Sequence, residues 1–294
     1  VLIIGGFLVV ILSVAGGYLW HGGNLLLLNQ PAEFVIIGGS AVGILLISTP
    51  MAVVRELVAQ IKHALSSGTP KEHYAELLVM LYQLFRVAQA SGVMALESHV
   101  DNPTESPVFT KYPKFLARES SLAFLTDSAR VIIVGGLAPH DFDHLMSEDI
   151  EVRHRERLHP SVTLNKVADA LPGLGIVAAV LGVVITMQAI DGPPSEIGHK
   201  VGAALVGTFL GILLSYGFVQ PLAANLEHRV HEEMTTEHVI KAGLLATYKG
   251  LAPAIAIEFA RRIIPEEVRP NFEETEAMCR SARTEAQAPA AAAA

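Results

Sequence analysis

The chain has 294 residues, of which 51% are hydrophobic, 17% charged and 6% aromatic, with a mean hydropathy of +0.43, which is more apolar than an ordinary soluble domain. Its formal net charge of −8 argues against a nucleic-acid partner. A single cysteine, Cys279, excludes an internal disulfide and offers no thiolate cluster for a metal.

The apolar residues collect in four blocks, 1–20, 34–54, 167–190 and 201–221. Each is near the roughly 20 residues that a helix needs to cross about 30 Å of hydrocarbon. The first block lacks a basic leading segment and a small-residue cleavage pattern, and reads as a span rather than a cleavable signal. The expected fold is an all-α membrane protein with four transmembrane helices in two hairpins. Spans 1 and 2 fall in 1–54 and spans 3 and 4 in 167–221. A cytoplasmic helical domain occupies 55–166, and a cytoplasmic helical extension with a disordered tail occupies 222–294.

Orientation follows from Lys and Arg. Residues 55–166 carry twelve of the 21 and residues 222–294 carry eight, whereas the short connections 19–32 and 191–196 carry none. The positive-inside rule then places both large segments and both termini in the cytoplasm. Lys200, at the outer mouth of the fourth span, is the one dissenter. Tyr18, Trp20 and His21 fit an interfacial belt at the outer end of the first.

The stretch "KEHYAELLVMLYQLFRVAQASGVMALESHV" repeats apolar residues such as Leu77, Leu81, Leu84 and Ala88 three and four apart, the period of one buried helical stripe. A second helix is expected from Pro113 to about Val134, stopped by Gly135-Gly136, and a third from near Pro139 through "HDFDHLMSEDIEVRHRERLH". The tail reads as helical from Leu222 to about Ile263. Its alanine-rich end, "TEAQAPAAAAA", reads as disorder.

Chemistry is sparse. His140 and His144 stand four apart beside Asp141 and Asp143, but no third and fourth ligand with metal-site spacing is visible. No phosphate loop, nucleophile elbow or paired acid motif is present, so neither a catalytic residue nor a cofactor is expected.

The spans carry more information. Glycines recur at Gly198, Gly202, Gly207 and Gly211, at Gly39 and Gly43, and at Gly175 and Gly182. Small residues at such spacing let helices approach closely in lipid, within one subunit or between subunits. Pro172 removes an amide donor and leaves the carbonyl of Ala168 to be satisfied by water, a Ser/Thr hydroxyl or another helix. Pro221 does the same for Gly217. Polar side chains in the blocks are few (Ser13, Ser40, Thr186, Thr208 and Ser215), and no carboxylate is expected at mid-depth. If the chain conducts an ion, a partner's helix has to bring the acid.

In order along the chain, "GGYLWHGG" with "QPAEFVIIGGSAVG", "GVMALESHVDNP", "VADALPGLGIVAAVLGVV", "VGAALVGTFLGILLSYGFVQPLA", and "AIEFARR" with "RPNF" resemble the MotA stator subunits of the bacterial flagellar motor, in the MotA/TolQ/ExbB proton channel family. The resemblance runs over nearly the whole chain. It implies a homo-oligomeric ring, a pentamer, in the inner membrane around a MotB dimer that supplies the ion-binding aspartate. The cytoplasmic part would push the rotor protein FliG.

By position, Pro172 and Pro221 match the family's two functional prolines, Thr208 its polar position facing the ion path, and Glu97 the acid of its rotor-contacting charged pair. Where the family commonly has a base eight residues before that acid, this chain has Gln89. Arg86, one helical turn earlier, is expected to substitute. Sodium-driven relatives place a Thr where this chain reads Val177-Ala178-Ala179, and a cation stripped of water wants several oxygen ligands. Ala179 on the ion pathway therefore points to protons. Two other readings remain: an ExbB/TolQ-like channel subunit energising outer-membrane processes, and a membrane scaffold without ion flux.

Overall fold

Helix is the only extended regular structure in the computed structural model, which describes residues 2–65, 71–188 and 190–287; no strand occurs among them. Four helical stretches among the described residues, Leu2–Trp20, Leu25–Ser48, Pro139–Met187 and Pro194–Tyr248, are long and apolar enough to cross a membrane. The chain divides into two compact units, one of residues 1–68 and 156–230, the other of residues 69–155 and 231–294.

In the first unit, α1 (Leu2–Trp20) buries none of its residues. Such a surface is stable only against lipid or other apolar chains. After the short α2 (Leu25–Leu28), α3 runs Pro31–Ser48 rather than over the expected 34–54. Pro31 presets the helical backbone angle at the first turn, and Pro50, in an extended conformation with no amide to donate, ends the span before α4 (Met51–Ala64). The helix therefore begins early enough to include Glu33.

The third apolar stretch belongs to α9 (Pro139–Met187), a single 49-residue helix that passes through both Pro160 and Pro172. The fourth begins as α10 (Pro194–Ile212) and widens into a π-helical segment, Leu213–Val219, before α11 (Gln220–Tyr248). Pro221 accounts for the widening. Its ring crowds the carbonyl four residues back and supplies no amide, and a π turn relieves both problems; accordingly the amide of Gln220 reaches back to the carbonyl of Ser215. Ile37, Ala41, Val167, Leu171, Ala178, Val206 and Leu210 form the apolar core shared by α3, α9 and α10.

In the second unit, α5 (Lys71–Ser91) buries Leu77, Leu81, Leu84 and Ala88, the stripe read from the sequence. It ends earlier than that stripe suggests, because Gly92 takes φ +82°, ψ 163°, a conformation essentially reserved for glycine. A 3₁₀ turn (Val93–Leu96) and α6 (Glu97–Asp101) follow. The helix expected from Pro113 to Val134 is two, α7 (Pro113–Leu116) and α8 (Glu119–Val134). Gly135 and Gly136 stop α8, both at positive φ.

The tail helix is also two. α11 stops before Gly250, at φ +78°, and α12 (Pro253–Ile263) restarts on Pro253. A further helix, α13 (Phe272–Gln287), extends past the point where the sequence pattern appeared to end. Of the alanine-rich end expected to be disordered, residues 284–287 are instead the last turn of α13, and residues 288–294 lie outside the described residues.

Candidate functional site

The membrane side of the site is built where α9 meets α10 and the π segment. Gly175 and Gly211 face each other so closely that a Cβ on Gly211 would lie 2.6 Å from the carbonyl of Leu171 and 2.8 Å from Cα of Gly175. One built on Gly182 would lie 2.7 Å from Cβ of Ala204. Four of the glycines singled out, Gly175, Gly182, Gly207 and Gly211, are thus used within the chain, whereas Gly39, Gly43 and Gly198 face open space.

At the inner part of this contact the Ser215 hydroxyl, fully buried, donates to the carbonyl of Ala168 at 2.7 Å. That is the carbonyl Pro172 leaves free, and its partner is one of the kinds expected from the sequence: a hydroxyl from a neighbouring helix. The same serine lies in the π turn that Pro221 induces. One hydrogen bond therefore ties the two proline irregularities together. Pro172, Ala179 and Thr208 are half-buried and Pro221 is exposed. The Thr186 hydroxyl turns back to the carbonyl of Gly182 at 2.8 Å.

Sequence reasoning missed Glu33. Its side chain is 7% exposed, and Oε2 is buried with no hydrogen-bond partner among the described residues. A Cβ on Gly207 would lie 2.6 Å from that oxygen, 3.1 Å from Cβ of Ala178 and 3.1 Å from the amide nitrogen of Ala179. The carboxyl thus occupies a notch that α10 opens by having glycine at 207, against the same stretch of α9 that holds Ala179 and next to Thr208. Glu33 lies in the first turn of α3, so the second apolar stretch carries a buried carboxyl near its start that the block counted from Phe34 leaves out. The missed signal was Pro31: a proline preset for the first helical turn moves the start of the helix upstream and brings Glu33 inside it.

In the second unit Arg86 and Glu97 stand on different elements. Arg86 is half-buried on α5, next to fully buried Phe85. Glu97 opens α6 and is exposed, while Leu96 and Val100 on either side are buried and pin the turn. His99 holds the following loop through a 2.7 Å bond to Ser106 Oγ, and burial lowers its pKa. Arg130 braces α6 from α8 by donating to the carbonyl of Val100 and to Asp101 Oδ1. Neither Arg86 nor Glu97 has an ion-pair partner among the described residues, so the two charges are not brought together. Gln89 is exposed.

Of the histidines weighed as ligands, His140 and His144 are exposed beside Asp141 and Glu148. Among the described residues no three His, Cys, Asp or Glu side chains are grouped to hold a metal. The thiol of Cys279 is buried and pushed up to about 12, so at neutral pH it is protonated and weakly nucleophilic.

Residues 3–92 match the family described as motility protein A N-terminal, and residues 116–239 match the MotA/TolQ/ExbB proton channel family. The chain is 40% identical over 283 residues to motility protein A of Salmonella typhimurium, covering 96% of each chain. It is 39% identical over 272 residues to chemotaxis protein LafT of Vibrio parahaemolyticus, covering 92% of this chain and 95% of the other. Its fold is similar to that of C. jejuni MotAB, with a TM-score of 0.74 at 19% identity over 92% of this chain and 98% of that one. The flagellar MotAB stator complex from Bacillus subtilis gives 0.71 at 20% identity over the same shares. With matches of this extent on both its membrane and polar segments, the chain belongs to the motility protein A family of flagellar stator components, within the MotA/TolQ/ExbB proton channel family.

Proposed function

We propose that this chain is a stator subunit that couples inward proton flow across the bacterial inner membrane to torque on the rotor protein FliG, as a pentameric ring around a MotB dimer. Both termini and the polar unit lie in the cytoplasm, as the Lys and Arg distribution requires. MotB contributes the ion-binding aspartate. Pro172, Ala179, Thr208 and Pro221 flank the ion route, and Arg86 and Glu97 present charge to FliG.

The observation that carries this reading is the Ser215–Ala168 hydrogen bond. It joins a proline-interrupted helix to a π-helical turn, and π turns inside helices recur at functional sites. Such a junction can exist in two arrangements, with the bond made or broken. α9 runs unbroken through Pro172 and α11 through Pro221, so a change of bend at either proline re-aims the helical turns beside it. Ala179 offers no side-chain oxygen to a dehydrated cation, which favours protons over sodium. The match to motility protein A over residues 3–92 favours a stator over an ExbB- or TolQ-like subunit.

Co-expression with a cognate MotB in a flagellated host lacking its own stator tests this. Restored swimming that stops when the proton gradient is collapsed and is indifferent to sodium is the expected result. Swimming that requires sodium and survives that collapse overturns the ion assignment, and no swimming from an assembled complex overturns the stator reading.

A further inference from the structure

We propose that Glu33 is a proton-binding station on this chain's own side of the ion route, upstream of the carboxylate that the partner contributes. The inference rests on the stator reading above and adds a second titrating group to it.

A buried polar group without a partner costs free energy, and a buried carboxyl costs more than an amide or hydroxyl. A purely structural wedge between α3, α9 and α10 would be better made by Leu or Met. Instead the site holds a carboxyl whose Oε2 is sealed from solvent and accepts no hydrogen bond among the described residues. It also holds a glycine, Gly207, whose missing side chain leaves the carboxyl its place: a Cβ there would lie 2.6 Å from Oε2 and make the carboxyl turn aside. An ionisable side chain inside a membrane span is by default a functional group. The notch walls, Ala178, Ala179 and Gly207, carry no titratable side chain. The nearest charged groups along those helices are Lys200 with Glu196 on α10, already paired at 3.0 Å, and Asp169 on α9, which accepts from Gln220 at 3.3 Å. Among the described residues no Lys, Arg or His side chain lines the notch.

Glu33 is two residues past Pro31, at the end of α3 that the charge distribution turns outward. A proton entering from the outer water forms an O–H bond with the Glu33 carboxylate. That bond then breaks as the proton passes to the partner's carboxylate, and Glu33 returns to its starting form without any other reactant. Ala179 and Thr208 mark where the two carboxylates would exchange it.

The test uses the full chain co-purified with its MotB partner and reconstituted into vesicles. Three variants are compared with the parent: Glu33→Gln, which keeps shape but does not titrate, Glu33→Asp, which keeps the carboxyl, and Glu33→Leu, which keeps only the wedge. Assembly and thermal stability are read beside proton influx at several external pH values. Infrared difference spectra between two pH values report the carbonyl stretch of a protonated carboxyl directly. Glu33→Gln and Glu33→Leu should assemble, lose most of the influx and lose one protonated-carboxyl band, while Glu33→Asp retains part of both. Influx in Glu33→Gln equal to the parent with the same pH profile overturns the proposal. So does an unchanged infrared spectrum, which can be read even from a variant that does not conduct. A parent complex that itself passes no protons sinks the stator reading instead, and the infrared comparison still decides whether Glu33 binds a proton.

Discussion

The hydrogen bond between Ser215 and the carbonyl of Ala168 lends itself to a double-mutant cycle, because the reason it is needed can be removed separately. Ser215→Ala deletes the donor at 2.7 Å and leaves a buried carbonyl without its hydrogen bond. That carbonyl has no amide to turn to while residue 172 is proline. Leaving a buried acceptor unsatisfied costs about 1–3 kcal/mol, which for a protein of this size lowers Tm by roughly 2–8 °C. Pro172→Ala restores an amide four residues after Ala168. In that background the serine is no longer the only donor, and losing its hydroxyl should cost about 1 kcal/mol or less. The coupling energy should therefore be about 1–2 kcal/mol, within the range for residues sharing one hydrogen-bond network. Thermal unfolding of the parent, both single variants and the double variant in one lipid nanodisc preparation measures it. Additive losses of Tm would show that Ser215 does not stand in for the amide that Pro172 lacks, and the two arrangements proposed for this junction would lose their basis.

Gly211→Ala should weaken the α9–α10 contact by about 1–3 kcal/mol, because the nearest atoms to the new methyl are backbone atoms of Leu171 and Gly175 and cannot swing aside; Gly198→Ala, which faces open space, is the neutral control in the same melting assay. Arg86→Glu should abolish swimming while leaving membrane level and ring size unchanged, since Arg86 has no ion-pair partner among the described residues to lose; unimpaired motility would remove it from the rotor-facing surface. The Glu258 carboxyl is held down to about 2 chiefly by hydrogen bonding from Arg261, helped by Arg262. Its stabilising contribution is complete above about pH 4.5 and is lost as pH falls toward 2, so Glu258→Gln should flatten that part of the stability curve. Burial, with Arg118 and Lys114 nearby, pushes His73 down to about 4; its contribution is complete above about pH 6.5 and disappears between there and pH 4. His73→Gln should remove that limb, and an unchanged curve would refute the assignment.

Helix type and the placement of apolar spans were legible in the sequence because both follow from local pattern. The four apolar blocks each overlap a helical stretch long and apolar enough to cross a membrane, and the buried stripe of α5 follows its spacing. The demand created by Pro172 was legible as well, since a missing amide is a covalent fact; which hydroxyl would meet it was not. Ser215 is 47 residues away from Ala168, and only the close approach of Gly175 to Gly211 brings them together. Element ends were less readable. Gly92 and Gly250 broke helices because each took a positive φ, which depends on where the chain turns. Glu33 was overlooked for a related reason: counting apolar residues starts the span at Phe34, while the physics of Pro31 starts it earlier. Its importance lies in the empty side of Gly207, a contact across three helices that no local pattern encodes.

On the function proposed above, this chain builds the wall of a proton route whose final acid belongs to MotB. Proton uptake by vesicles holding the chain alone, compared with vesicles holding it together with its MotB partner, tests that most directly. No uptake above empty vesicles is expected for the chain alone and clear uptake for the pair, lost again when the partner's membrane aspartate is changed to asparagine. Steady uptake through the chain alone would contradict it.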